Sequence, residues 1–214
     1  QVVVTGMGCV SPLGIDLEST WQGITDEKHA FAAISKFNAE DWPMKFVAEV
    51  DDREVGQNLE KRNLGYAANL SRAFQMAAIA ADQAIKNAGL SFLEEQKLHL
   101  AVGGGIGVIR PQQIVRRMRG FDFSTHPQKM ASYTLNHRDS FALRKANHPS
   151  EFGYDQARRL AKNVTISTHM SACAAGAQAI GYAYRQIRSG RSAVALAGSC
   201  DSLSGEILLA GFGM

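Results

Sequence analysis

One cysteine stands where a strand-like run of the sequence gives way to a helix-like run. In STHMSACAAGAQAIG, residues 167–181, Cys173 follows β-branched residues and precedes alanines and glycines. A thiol at the amino end of a helix lies beside unpaired N–H groups and the positive end of the helix dipole, which favour the thiolate. The same N–H groups can stabilise an oxyanion beside the attacking sulfur. The pattern indicates a nucleophile at Cys173, and a buried structural cysteine is the alternative that it leaves open.

Two glycine clusters suggest a nucleotide site, but neither completes the pattern. Gly6 and Gly8 are followed by Ser11, and the glycine-rich run 103–107 is followed by Val108. Both clusters therefore miss the GxGxxG spacing that brings a backbone close to a pyrophosphate. Tight turns and close approach of the backbone explain these glycines better.

Three histidines at a spacing of eleven residues, His126, His137 and His148, are candidate metal ligands. On one unbroken helix they would share a face. Pro127 and Pro149 directly follow two of them, and a proline disfavours the helical conformation of the residue before it. We therefore expect surface or loop histidines and no metal site.

The elements that must position Cys173 alternate between strands and helices. We predict strands over residues 2–5, 98–107, 163–168 and 193–198, and helices over residues 17–24, 64–89 and 174–190. The strands lack polar alternation and are separated by helices, which predicts a largely parallel sheet covered on both faces, an α/β fold. Gly89 and Gly190 are placed to end the two longer helices.

Composition limits the class of protein. The chain has 214 residues, 45% of them hydrophobic, which is enough for a substantial core. It has no apolar run of about 18 residues and no signal-peptide pattern, so we expect no membrane span. Cys9, Cys173 and Cys200 form neither a disulfide framework nor a zinc pattern, which favours a reducing, cytoplasmic setting. The strand-like start without Met and the end without a polar tail suggest part of a longer protein.

Positive charge is concentrated in one segment. From residue 110 to residue 162 there are eleven Lys or Arg and four Asp or Glu, whereas the whole chain has a formal charge of +3. Such a surface favours an acidic partner, either a carrier protein or nucleic acid. Nucleic acid is disfavoured because the segment lacks interleaved aromatic residues and a recognised motif. A solvated face without a partner is the remaining alternative.

Several stretches together resemble one enzyme family. They are VVVTGMGCVSPLG, LESTW, VGGGIG, SACAAGAQAIGYAYRQIRSG, AVALAGSCDS and AGFG. In this order they resemble the N-terminal half of elongating β-ketoacyl-acyl carrier protein synthases, condensing enzymes of the thiolase-like superfamily. The resemblance covers both ends of the chain and is poor over residues 110–165.

The resemblance implies a layered α/β/α/β/α sandwich of two similar halves. It also implies a β-ketoacyl synthase, an acyltransferase of fatty acid or polyketide synthesis. Cys173 matches the residue that takes an acyl chain as a thioester, and Ile106 and Phe212 match positions that line the acyl pocket. A malonyl group on acyl carrier protein then decarboxylates and attacks that thioester. No resident cofactor is implied, because phosphopantetheine arrives on the carrier.

The family's two catalytic histidines and its lysine belong to the second half, so no histidine of this chain is assigned to them. We therefore expect residues 1–214 to be the N-terminal lobe of a synthase about twice as long, in a homodimer or a heterodimer. Arg116, Arg117 and Arg119 are candidates for docking the acidic carrier. The alternative is a non-catalytic partner of the same fold, similar to a chain length factor, although such partners typically lack the cysteine.

Two positions depart from the family pattern. His169 occupies a strand position that is usually apolar or small, where it is either a polar contact near the pocket or dimer seam or a hydrogen-bonded interior histidine. Ser199-Cys200-Asp201 stands where the family often has Gly-x-Glu, and we expect Cys200 to serve packing.

Overall fold

The computed structural model describes residues 1–105 and 148–213. Along these ranges the elements are α1 (Leu17–Thr25), β1 (Phe31–Ala33), β2 (Phe46–Ala48), α2 (Asp52–Lys61), α3 (Arg72–Asn87), β3 (Leu93–Gly104), α4 (Pro149–Arg158), β4 (Ala161–His169), α5 (Ala175–Arg188), β5 (Val194–Cys200) and α6 (Glu206–Gly213). β1 and β2 form a small antiparallel pair. The other three strands carry the candidate site.

β3 lies between β4 and β5, and both neighbours run parallel to it. In the centre of the sheet, Leu100 is opposite Ile166 of β4 and Leu196 of β5. Three of the four predicted strands are thus confirmed, with β3 beginning five residues earlier than predicted. The predicted α/β class with a parallel sheet is confirmed for the part of the chain that is described.

Alternate residues of β3 face two different helix layers. Leu98, Leu100 and Val102 belong to the main core, which also includes residues of α3 and α4. Ala101, on the other face, packs with Ala179 and Ala183 of α5. Helices therefore cover both faces of the sheet, and small side chains let α5 lie close to it.

The main core is centred on aromatic and aliphatic side chains of α3 and α4. Phe74 is fully buried, and its ring stacks on that of Phe152 with 4.8 Å between centroids. Gly153 allows α4 to lie close to the sheet, because a Cβ there would come 3.1 Å from the Ile166 side chain. Burial of an aromatic ring of this size stabilises a fold by about 2–3 kcal/mol.

The predicted strand over residues 2–5 is wrong. These residues form no strand with any described residue, and Val3 and Val4 are 62% and 80% exposed. The chain that follows lies instead against α3, where the Met7 N–H donates to Asn87 Oδ1 and the Cys9 N–H donates to Gln83 Oε1. Side chains of a helix, not a neighbouring strand, thus satisfy these backbone donors.

The glycines of this segment permit that close approach. A Cβ at Gly6 would overlap the carbonyl oxygen of Ala84, and one at Gly8 would overlap that of Ala80. The explanation of these glycines by backbone approach is confirmed. Gly103 and Gly105, considered with the site below, follow the same rule.

The long helix predicted over residues 64–89 is shorter than expected. Residues Gly65–Ala67 form a 3₁₀ turn, and α3 begins at Arg72 after Ser71, whose hydroxyl accepts the Phe74 N–H. A serine N-cap competes with continuation of the helix on its amino side. Gly89 and Gly190 have φ angles of +59° and +71° and end α3 and α5 as predicted.

The helix predicted over residues 17–24 is confirmed as α1. Asp16 caps it, and the side chain and backbone hydrogen bonds with Ser19 hold the pKa of this carboxyl below its usual value. The sequence patterns did not predict β1, β2, α2, α4 or α6. No helix in the described ranges is long and apolar enough to span a membrane.

Candidate active site

Cys173 lies in the turn that joins the carboxyl end of β4 to the amino end of α5. β4 ends at His169, Ala172–Ala174 form one 3₁₀ turn, and α5 begins at Ala175. The Cys173 side chain is exposed. The predicted corner between strand and helix is therefore confirmed, and the role of the thiol as a nucleophile stays a prediction.

The backbone turns sharply just before the cysteine. Ala172 has φ +49°, in the left-handed region that non-glycine residues rarely adopt. This conformation costs about 1–2 kcal/mol for a residue with a Cβ. It persists only where the surrounding structure fixes it, and such residues cluster at functional sites. Two contacts of Ser171 help to fix it: its carbonyl accepts the Ala174 N–H, and its hydroxyl donates to Gln178 Oε1.

Glycines of β3 and α5 make room for this corner. A Cβ at Gly103 would come 2.7 Å from the carbonyl oxygen of Ala175, and one at Gly105 would come 3.3 Å from Ala172 Cα. A Cβ at Gly176 would come 2.7 Å from Ser199 Oγ of β5. The corner therefore sits directly on the carboxyl ends of β3 and β5, the edge where open parallel sheets place their ligand sites.

The amino end of α5 is electrostatically open. Its N-cap is Ala174, which offers no side-chain acceptor, and the first turn holds no acidic residue. Arg185 and Arg188 lie in the last turn, where positive charge complements the dipole. The partial positive charge at the amino end is thus left for another hydrogen-bond acceptor beside Cys173.

Asp201 ties two strand ends together beside the corner. The Gly105 N–H, just beyond β3, donates to Asp201 Oδ1 over 3.1 Å, and Asp201 directly follows β5. A Cβ at Gly105 would lie 3.2 Å from the other carboxylate oxygen. Sequence analysis noted Asp201 only as a departure from the family pattern. Nothing in its neighbours signals this contact, which depends on the register of β3 with β5.

The other two cysteines differ from Cys173 in their surroundings. Cys200 packs against the main core, and burial, followed by the nearby charge of Asp201, raises its pKa to about 12. The expectation that Cys200 serves packing is confirmed. Cys9 is half-buried on the segment that lies along α3. Among the three thiols, Cys173 is the exposed one.

The other predicted site residues lie outside what the structure describes. Residues 106–147, which lie outside the described ranges, include Ile106, Arg116, Arg117 and Arg119. Phe212 belongs to α6, but its side chain is outside the described set. The roles of these residues in the acyl pocket and in carrier docking stay predictions. Of the three candidate metal ligands, only His148 is described, and it caps α4 by accepting the Ser150 N–H.

The described part of the basic segment lies at the opposite end of β4 from Cys173. Arg158, Arg159 and Lys162 flank the start of β4 at Ala161. The strand spans roughly 26 Å at about 3.3 Å per residue. Arg159 stacks on the Tyr66 ring at 3.7 Å, and Lys162 pairs with Glu94. These three cations are therefore not neighbours of the cysteine.

Two histidines, His99 and His169, lie beneath α5 and share the Ser167 hydroxyl as a hydrogen-bond partner, and the sequence pattern indicated only His169. His169 forms the hydrogen bond that one of its two predicted alternatives requires, because its Nε2 lies 3.0 Å from Ser167 Oγ. The residue is half-buried and not interior, so the choice between the two alternatives stays a prediction. Ser167 also contacts Nε2 of His99, a buried residue of β3 that was missed. Thr165, Ser167 and His169 are spaced two residues apart and so lie on one face of β4. No sequence pattern pointed to His99, whose contact with this face depends on the register of β3 with β4.

Comparisons with known proteins agree with this architecture. The family described as "Beta-ketoacyl synthase, N-terminal domain" matches residues 1–147 and 160–214. The 3-oxoacyl-[acyl-carrier-protein] synthase 2 of Synechocystis sp. is 29% identical over 217 residues, covering 99% of this chain and 48% of that protein. The chain spans about half the length of the curated relatives it matches.

Two solved structures have the same fold over this length. The ishigamide ketosynthase/chain length factor is 25% identical, with a TM-score of 0.69 over 97% of this chain and 49% of that one. A type II polyketide synthase acyl-carrier protein in complex with its ketosynthase gives a TM-score of 0.72 at 21% identity, over 99% of this chain and 48% of that one. The thiolase-like ketosynthase fold is thereby shown. The chain belongs to the β-ketoacyl synthase family, of which it carries the N-terminal domain.

Proposed function

We propose that this chain is the nucleophile-bearing lobe of a β-ketoacyl-acyl carrier protein synthase that elongates fatty acid or polyketide chains. The observation that carries the proposal is the exposed Cys173 thiol at the uncapped amino end of α5. The family match and the 29% identity to a 3-oxoacyl-[acyl-carrier-protein] synthase support it. The three free cysteines suit a reducing, cytoplasmic setting.

The first step is transfer of an acyl group to the cysteine. The Cys173 thiolate attacks the carbonyl carbon of an acyl thioester on the carrier, and a tetrahedral oxyanion forms. N–H groups at the amino end of α5 can donate to that oxyanion. The carrier's thiolate leaves and takes up a proton, so that the acyl group is held as a thioester on Cys173.

The second step joins two carbons to that acyl group. Malonyl thioester on a second carrier loses CO₂, and the resulting carbanion attacks the Cys173 thioester carbonyl. The carbon–sulfur bond breaks, Cys173 regains its thiolate, and a β-ketoacyl thioester two carbons longer stays on the carrier. In the family, two histidines and a lysine of the second half assist this step. We therefore assign acyl transfer to this lobe, and condensation to the lobe together with a C-terminal half.

The proposed partners follow from this chemistry. Acyl carrier protein delivers both substrates on its phosphopantetheine arm, so no resident cofactor is required. Arg116, Arg117 and Arg119 stay our candidates for docking the acidic carrier, and a second ketosynthase-like chain is the expected dimer partner. If Arg116 helps docking, reversing its charge to Glu should weaken carrier binding and reduce its salt dependence.

One related structure also includes a chain length factor, which favours a second candidate function: a non-catalytic subunit that shapes the pocket of an active partner. Such subunits typically lack the nucleophile. The exposed cysteine at the corner therefore weighs against this reading. Condensation activity decides between the two.

The test uses full-length protein with acyl-carrier and malonyl-carrier substrates, and mass spectrometry of the carrier-bound product. Wild type should yield the β-ketoacyl product, Cys173→Ser should yield none, and Cys200→Ser, as the matched thiol control, should keep most activity. Equal activity in wild type and Cys173→Ser would overturn the proposal. Absence of product in wild type, with unchanged folding, would favour the non-catalytic subunit.

A further inference from the structure

We propose that His99, Ser167 and His169 form a hydrogen-bonded chain that positions the Cys173 corner, with the Ser167 hydroxyl ordering the ring protons of the two histidines. The chain is distinct from the residues that contact the substrate, and it acts by fixing β4 and α5 where they meet. The inference rests on the proposed function only in that Cys173 is its nucleophile.

The two histidines share one hydroxyl. Both ring nitrogens of the buried His99 are engaged, Nδ1 at 2.9 Å from Thr165 Oγ1 and Nε2 at 3.0 Å from Ser167 Oγ. Ser167 Oγ lies 3.0 Å from His169 Nε2 as well. His99 of β3 therefore contacts both Thr165 and Ser167 of β4. His169 lies on the same face of β4 and extends the chain of hydrogen bonds toward the Cys173 corner.

α5 closes over this chain. The ring of Tyr182 lies 5.3 Å from the His99 ring and 5.4 Å from the His169 ring, between centroids. His169 is the last residue of β4, four positions before Cys173. The strand that leads into the turn and the helix that leaves it are thus held against the same pair of imidazoles.

The shared hydroxyl restricts where protons can be. A serine hydroxyl has one hydrogen, so it donates to one Nε2 and accepts from the other. The neutral chain therefore has one protonated Nε2 and one bare Nε2. If both rings become cations, both Nε2 atoms are donors and the Ser167 hydrogen loses its ring acceptor. The shared hydroxyl therefore makes full use of its hydrogen only when at least one of the two rings offers a bare Nε2.

The surroundings also oppose positive charge on His99. Burial lowers its pKa, and the neighbouring His169 and Lys97 lower it further. From α5, Tyr182 faces the rings, and Arg185 lies 5.7 Å over the Tyr182 ring. The His99 ring is therefore favoured in its neutral form, in which one of its two nitrogens can accept a hydrogen bond.

The corner needs such support because of its backbone. The left-handed conformation of Ala172 is unfavourable by itself and requires neighbours that hold both ends of the turn. Removing the hydroxyl of Ser167 should leave two rings without their shared partner and loosen the turn more than the rest of the fold. We expect local opening of the turn to become fivefold to tenfold more frequent, which is about the effect of losing one buried hydrogen bond.

The test compares Ser167→Ala with Ser189→Ala, a control at the far end of α5 whose hydroxyl donates to the Gln186 carbonyl. Amide hydrogen exchange at neutral pH should accelerate about fivefold to tenfold over residues 169–175 in Ser167→Ala and stay unchanged in α2. Ser189→Ala should leave both regions as in wild type, and Ser167→Thr, which keeps the hydroxyl, should restore protection. Unchanged protection of the corner in a folded Ser167→Ala would overturn the proposal.

Imidazole nitrogen NMR supplies a readout that a purely structural role would not move. In wild type, one of the two Nε2 atoms should carry a proton and the other should not, and Ser167→Ala should lose this ordering. Two rings with the same Nε2 state in wild type would also overturn the proposal. Neither measurement needs carrier protein or product. The proposed role of His99, Ser167 and His169 can therefore be supported even if the proposed condensation activity is refuted, and it can be refuted even if that activity is found.

Discussion

Replacing Gly103 by alanine should disturb the contact between β3 and the amino end of α5, next to Cys173, without changing the cysteine itself. Gly103 lies near the carboxyl end of β3, opposite His169 and Ser199. An added Cβ would lie 2.7 Å from the Ala175 carbonyl oxygen, 2.8 Å from its carbon and 2.9 Å from Ser199 Cβ. The first two atoms are backbone at the start of α5, which cannot rotate away as a flexible side chain would.

The expected loss of stability follows from these distances. Restoring ordinary contact requires the separation from the Ala175 oxygen to grow from 2.7 Å to at least 3.4 Å. The amino end of α5 must therefore move away from the central strand. Forcing a methyl group into a filled site typically costs 1–3 kcal/mol. We expect Gly103→Ala to lower the free energy of unfolding by about 2 kcal/mol, and to slow alkylation of Cys173.

The assay pairs urea unfolding with the rate of Cys173 alkylation by iodoacetamide, followed by peptide mass spectrometry. Gly198→Ala is the matched control: Gly198 is in the adjacent strand β5, and apart from its two chain neighbours no described residue has an atom within 4 Å of the added Cβ. That variant should change unfolding by less than about 1 kcal/mol, because only the freedom of the unfolded chain is affected. If Gly103→Ala is as stable and as reactive as Gly198→Ala, the seating of α5 on β3 is wrong.

Further predictions concern the histidine, a helix and the core. Because burial and nearby positive charge lower the pKa of His99, the unfolded chain binds a proton that the folded chain does not once the pH falls below 6.5. The contribution of this group is therefore constant above pH 6.5 and becomes destabilising below it, by at most about 1.4 kcal/mol per pH unit. His99→Gln should flatten this slope in urea unfolding from pH 7.5 to 5.5, and an unchanged slope would contradict the assignment. Gly56→Ala, inside α2, should stabilise the fold by about 0.5–1 kcal/mol, because no described residue beyond the helix's own backbone comes within 4 Å of the added Cβ; a loss of stability there would show that the space is filled. Phe74→Ala should cost about 3–5 kcal/mol in the same assay, whereas a cost under about 1 kcal/mol would place Phe74 outside the core.

Much of the sheet and its cysteine corner could be predicted because local pattern and tertiary structure agree there. The runs that became β4 and β5 lie on either side of the central strand, with helices packed against both faces of the sheet, so their lack of regular polar alternation carried the signal. The small residues after Cys173 marked a helix packed closely on the sheet, and Gly190 marked its end. Amino-acid composition and the positions of helix-ending glycines were sufficient to predict these elements.

The failures share a different cause. Residues 2–5 have the composition of a strand, but a strand also needs a partner, and none of the described strands pairs with them. The contact of Gly105 with Asp201 joins positions 96 residues apart, and that of His99 with Ser167 joins positions 68 apart. Such pairs depend on strand register, which one sequence does not display.

The central claim is that Cys173 takes up an acyl group as a thioester. The direct measurement is peptide mass spectrometry of the protein after incubation with an acyl-carrier protein, without malonyl substrate. The account predicts one acyl adduct, on the peptide that contains Cys173, absent in Cys173→Ser and released by hydroxylamine. An adduct confined to Cys9 or Cys200, or no adduct on a folded protein, would contradict it.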